Sequence, residues 1–154
     1  MIYMNNAATG FPKFPASITA MKNSLDSGEL STNRDSIVSE NVKNVVFDLR
    51  NKIGKLINAK QPHEIVFTAS DTIALNMLIQ GIDWRSDGVI IIDAMSHNAI
   101  SRPAMALAKE RGVTVQSVGS VQELVYALDE KYPGRVQAAV FSHGSNVTGD
   151  VIPA

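Results

Sequence analysis

The chain contains no cysteine, which excludes a disulfide framework, a thiolate metal site and a cysteine nucleophile from its 154 residues. Positive charge is not in surplus either. Fourteen Lys and Arg stand against 15 Asp and Glu, a formal net charge of -1, so no field attracts a phosphate backbone or an anionic membrane surface. No nucleic-acid partner is expected. Long hydrophobic runs are missing as well: the most apolar stretch, 89–92, falls far short of the roughly 20 residues that span a bilayer. It reads as a buried strand, and no membrane partner is expected. The opening Met1-Ile2-Tyr3-Met4-Asn5-Asn6 lacks a basic region followed by an apolar stretch, so no secretory signal is expected and the location is expected to be cytoplasmic. Linkers, charge runs and internal repeats are not evident.

What is present is the composition of a folded protein, with 45 % hydrophobic and 19 % charged residues and a length suited to one ordinary domain. From Ser36 onward, Val38, Val42, Val45, Val46, Leu49, Ile53, Leu56 and Ile57 recur at helical spacing and predict one amphipathic helix over 36–58. Short β-rich runs then alternate with helical patterns: strand 64–68, helix 71–82; strand 88–93, helix 98–111; strand 113–118, helix 121–131; and a closing strand 137–142. Apolar strands separated by helices predict an α/β fold of three layers, α/β/α, around a mainly parallel sheet. Pro62, Gly81, Gly88, Gly112 and Pro133-Gly134 fall where the turns are needed. Residues 1–35 are expected to be irregular apart from a short helix near 16–25.

In parallel sheets, ligands bind beyond the carboxyl ends of the strands, which makes three polar loops informative. After 65–67 comes Thr68-Ala69-Ser70-Asp71-Thr72, leading into a helix. The unpaired N–H groups and positive dipole end of such a helix suit a phosphate, while Ser70 equally suits a plain N-cap. After 89–93 comes Ala94-Met95-Ser96-His97-Asn98, whose histidine can stack on a ring, move a proton, bind metal or simply cap the next helix. After 139–141 comes Ser142-His143-Gly144-Ser145-Asn146-Val147-Thr148-Gly149-Asp150, which reads as a binding loop or an ordinary turn. Dinucleotide and nucleoside-triphosphate loops are absent. His63, His97, His143 and Asp93 match no ligand spacing, so no metal is expected.

Taken together, these segments resemble the class V aminotransferase family of pyridoxal-phosphate enzymes, in particular its cysteine desulfurase and selenocysteine lyase branch. The resembling stretches are Tyr3-Met4-Asn5-Asn6-Ala7-Ala8-Thr9, Phe67-Thr68-Ala69-Ser70-Asp71-Thr72 with Ala74-Leu75-Asn76, Ser96-His97-Asn98-Ala99, and Ser145-Asn146-Val147-Thr148-Gly149. The resemblance implies pyridoxal 5'-phosphate as cofactor, a small amino acid as substrate, a homodimer and the large-domain fold called fold type I. It implies that Ser70, Asp71 and Thr72 form the phosphate cradle, with the Thr72 hydroxyl and the Asp71 amide holding the phosphate. His97 would stack on the pyridine ring, Asn146 would bond near the phenolic oxygen or the substrate, and Asn6 with Ala7 would line the substrate side.

The chain also departs from the family. Asp71 replaces a small residue beside the phosphate, and Ile73 and Ser96 replace glutamates. None of the eight lysines, at 13, 22, 43, 52, 55, 60, 109 and 131, sits in the turn that the family uses to attach the cofactor, so no catalytic residue is assigned within the chain. The expectation is an irregular N-terminal segment, 1–35, followed by a partial cofactor-binding domain, 36–154, incomplete at its C-terminal side. Such a piece would lack the neighbour of strand 64–68 and would expose an apolar sheet edge and helix face. The rival reading is a non-catalytic α/β module that binds a phosphorylated ligand or a partner chain.

Overall fold

The computed structural model describes residues 2–6, 9–27, 37–145 and 147–151, with side chains left undescribed at 37–41. The chain divides into two compact units, 1–67 and 68–154.

Within the first unit, the N-terminal arm is tied by its own polar groups. The Tyr3 hydroxyl donates to the Thr9 carbonyl (3.0 Å), the Phe11 N–H donates to Asn6 Oδ1 (3.0 Å), and the Tyr3 and Phe11 rings lie 5.2 Å apart. Helix α1, Pro15–Asp26, opens on a proline, whose fixed φ and missing N–H suit a first helical position. Helix α2, Ile37–Ile57, carries the long periodic pattern and ends where Asn58 turns left-handed (φ 58°). That turn lets the Ala59 N–H reach back to the Gly54 carbonyl (2.9 Å), closing the last carbonyls in a Schellman arrangement.

The expected strand at 64–68 does not form. A short 3-10 turn, Pro62–Glu64, occupies its start, because the Glu64 carboxylate accepts the N–H groups of Lys60 (2.9 Å) and Gln61 (3.2 Å). Residues 65–68 follow without a ladder partner among the described residues. Isolated strands do not persist; pairing defines them, and an apolar run alone cannot supply it.

The second unit is built on a three-stranded parallel sheet in the order β2-β1-β3, with β1 Val89–Asp93, β2 Thr114–Val118 and β3 Val136–Val140. Val89 to Ile91 are fully buried, as a central strand covered on both faces requires. On one face, Ile90 and Ile92 pack against Ile79 of α3, Asp71–Gly81, and against Ile100, Ala104 and Leu107 of α4, Asn98–Arg111. On the other, Val89, Ile91 and Val118 pack against Leu124 of α5, Val121–Tyr126, and Ala127 of the π turn that continues it to Lys131. This is the expected α/β/α layering. Ile73, Met77 and Leu78 of α3 are exposed.

One residue is inserted in β3. Val136 pairs with Val89 but Ala138 pairs with Ile90, so Gln137 is left out of the ladder. A bulge of this kind re-aims its side chain. Gln137 Oε1 accepts the Arg85 N–H (2.8 Å) and its Nε2 donates to the Asp83 carbonyl (3.0 Å), pinning the turn that leads into β1.

Candidate cofactor pocket between two helix starts

The strand order decides where polar loops meet. The chain leaves β1 for β2 on one side, then crosses to β3 on the other, so the loops after β1 and β3 diverge from adjacent strands. Such a switch point is where open α/β sheets bind ligands.

Helix α3 begins at Ser70, whose backbone is extended and whose Oγ accepts the Ile73 N–H (3.2 Å). Thr68 Oγ1 donates to the Ser70 carbonyl (2.8 Å), holding that turn from the other side. Ser70 is therefore an N-cap. The N–H groups of Asp71 and Thr72 have no partner among the described residues, which leaves donors at the positive end of the helix. Asn76 Nδ2 donates to the Thr72 carbonyl one turn later (2.8 Å).

Helix α4 begins at His97. Its Nδ1 accepts the Ala99 N–H (3.1 Å), so the neutral ring carries its proton on Nε2. The preceding loop is fixed by Asp93, whose carboxylate accepts the Met95 N–H (3.0 Å). At the far end, Gly112 closes α4 in the left-handed region (φ 70°).

Because α3 and α4 pack side by side on one sheet face, an open pocket of about 460 Å³ lies between them near their starts. Thr72 and Asn76 line it from α3; His97, Asn98 and Arg102 line it from α4, with Pro103 closing the apolar side. Thr72 and His97, 25 positions apart in sequence, thus share one cavity. Ser70 and Asp71 lie in the turn just before it and do not line it. Asn6 belongs to the first unit, where its amide oxygen is engaged by Phe11. Ala7 and Asn146 lie outside the described residues. Around position 146, Ser145 Oγ accepts the N–H groups of Val147 (3.2 Å) and Thr148 (3.1 Å), and Gly149 takes a positive φ of 80° to let its N–H reach the Ser145 carbonyl (3.0 Å).

Sequence reasoning missed Asn76, Asn98 and Arg102. The signal was available in their spacing: 72 and 76, and 98 and 102, are four apart and so share a helix face. The lining holds amide and hydroxyl donors, a flat ring and one cation, and no carboxylate. It suits an anion joined to a ring. Among the described residues no three His, Asp or Glu side chains are grouped to hold a metal ion, and no helix is long and apolar enough to cross a membrane.

Comparison with known proteins places this architecture. The sequence model of the family aminotransferase class-V matches residues 2–154. The chain belongs to that family. Among curated relatives of this class-V chain, a probable cysteine desulfurase of Chlamydia muridarum is 27 % identical over 99 % of this chain and 39 % of its own length. A probable cysteine desulfurase of Chlamydia trachomatis is 28 % identical over 99 % of this chain and 39 % of its length. This chain therefore spans about two fifths of the length of these relatives.

Among solved structures, a cysteine desulfurase from Escherichia coli is 25 % identical, with a TM-score of 0.71 over 97 % of this chain and 39 % of that one. A cystine C-S lyase solved with its product cysteine persulfide shares the fold at 22 % identity, with a TM-score of 0.72 over 98 % of this chain and 40 % of that one. The expected fold type I architecture is the one observed.

Proposed function

We propose that this class-V aminotransferase chain is the cofactor-cradling part of a pyridoxal-phosphate enzyme that acts on a small amino acid, removing sulfur from cysteine. The family match and the desulfurase relatives support the chemistry. The observation that carries the reading is structural: Thr72 and His97 line a single pocket whose volume, about 460 Å³, lies in the range of roughly 300–1,000 Å³ typical of small-molecule sites.

In this reading the Thr72 hydroxyl and the free N–H groups of Asp71 and Thr72 hold the phosphate, on the positive end of α3. Asp71 is exposed and its carboxylate is not part of the pocket lining. The ring of His97, oriented by its bond to Ala99, would supply a flat stacking partner for the pyridine ring. Asn146 serves the phenolic oxygen or the substrate, and Asn6 with Ala7 the substrate side; Ser70 acts indirectly, by capping α3. When bound, the cofactor supplies an electron sink, and the chain supplies orientation and electrostatics. Residues 36–154 belong to the cofactor-binding domain of a cytoplasmic homodimer, with 1–35 as its N-terminal segment.

One observation favours a second reading. No lysine lines the pocket. A chain that held the phosphorylated ligand without covalent attachment would be a binding module. The test uses protein purified from its native host. A yellow protein, bleached by borohydride, that releases sulfide from cysteine and has an intact mass above 16.6 kDa supports the enzyme. A mass of 16.6 kDa with colour lost on dialysis supports the module.

A further inference from the structure

Residues 68–154 contain four arginines, and three of them are occupied. Arg85 donates to the Gly134 carbonyl (2.6 Å), Arg135 to the Asp87 carbonyl (2.9 Å) and Arg111 to the Gln80 carbonyl (3.4 Å). Arg102 differs. Among the described residues it makes no hydrogen bond, ion pair or ring contact, yet it lines the α3–α4 pocket.

Its position on α4 aims it. Arg102 follows Asn98 by one turn on the same face, and long helical side chains lean back toward the helix start. That lean favours the first turn of α4, where the helix dipole is positive and a cation is disfavoured unless an anion offsets it. No carboxylate in the lining offsets it. An unpaired cation and the free N–H of Thr72 at the start of α3 make the pocket electropositive, and no carboxylate lines it.

We propose that Arg102 is the counter-charge for the phosphate group of the ligand in the α3–α4 pocket, an inference that rests on reading this pocket as the cofactor site. The planar guanidinium meets a phosphate with two parallel N–H···O bonds, which an ammonium or an amide cannot reproduce. The phosphate thus joins the two helices, with α3 supplying a hydroxyl and backbone donors and α4 supplying charge.

The test is calorimetric titration of the cofactor-free protein with pyridoxal 5'-phosphate, with unphosphorylated pyridoxal and with inorganic phosphate, alongside Arg102→Met, Arg102→Lys and Thr72→Val. Arg102→Met is expected to weaken pyridoxal 5'-phosphate and inorganic phosphate about tenfold or more and to leave pyridoxal unchanged. Arg102→Lys recovers part of the loss, and added salt weakens the wild type more than Arg102→Met. Unchanged thermal melting confirms that this exposed position is not needed for folding.

If Thr72→Val weakens pyridoxal 5'-phosphate and Arg102→Met does not, the role of Arg102 is overturned while the cofactor pocket stands. If neither substitution matters, or the wild type binds none of the probes, the pocket reading falls with it. A loss confined to the amino-acid substrate of the loaded protein would overturn the phosphate assignment, since Arg102 would then be reading a carboxylate.

Discussion

His97 Nδ1 accepts the N–H of Ala99 at 3.1 Å, so the residue that starts α4 also presents its ring to the pocket. One side chain carries a structural and a binding duty, and substitutions can separate them. His97→Ala removes both, costing about 1 kcal/mol as a lost N-cap and also weakening the ring ligand. His97→Asn restores a cap without a ring. Thermal melting should place His97→Asn near wild type and His97→Ala below it, while both lose cofactor affinity by titration. Equal affinity in His97→Asn would remove the ring from the site.

The α3 start divides the same duties between two residues. Ser70→Ala should cost about 1 kcal/mol of stability, because the Ile73 N–H loses its acceptor. Thr72→Val keeps the shape and removes one hydroxyl, so melting should change little while affinity for the phosphorylated ligand drops several-fold. The pair is checked by denaturant unfolding and by titration on the same samples. A Thr72→Val protein that binds normally would mean that the backbone donors suffice.

Gly88, at the entrance to β1, is closely walled. A Cβ there would collide with Gln137 Oε1 and lie 2.9 Å from the Arg85 carbonyl. Gly88→Ala should therefore destabilise the protein by about 1–3 kcal/mol, the usual cost of forcing atoms into a filled site. Combining it with Gln137→Ala should relieve only part of the loss, since the Arg85 backbone remains in the way. Full rescue in the double variant would show that the side chain was the whole obstacle.

Two helix ends use the left-handed region differently. Gly112 ends α4 at φ 70°, and Gly112→Ala should cost about 1–2 kcal/mol in chemical denaturation. Asn58 ends α2 at φ 58°, where glycine is freer still, so Asn58→Gly should be neutral or stabilising by a few tenths of a kcal/mol. A destabilised Asn58→Gly variant would show that the asparagine amide contributes a bond of its own.

Much of the fold is legible in the amino-acid order because its signals are local. Helical spacing from Val42 to Ile57 places α2, the run Val89 to Ile92 places the central strand, and Ser70, His97 and Gly112 mark helix ends through bonds reaching two to four residues away. The same locality made the strand expected at 64–68 fail. Val66 and Phe67 favour a strand, yet the carboxylate of Glu64 closes a turn before them and no described neighbour pairs with them. The π turn at Ala127–Lys131 and the bulge at Gln137 were likewise hidden, since each depends on how the chain meets the sheet rather than on its own pattern.

The candidate site divides along the same line. Residue types and order determined the family, the anion-ready start of α3 and the histidine after β1. Tertiary structure decided that Thr72 and His97 face one cavity, that Ser70 caps α3 instead of lining that cavity, and that Arg102 stands in its wall. Helix periodicity says which residues share a face, but only the packing of α3 against α4 on the buried isoleucines of β1 says which two faces meet.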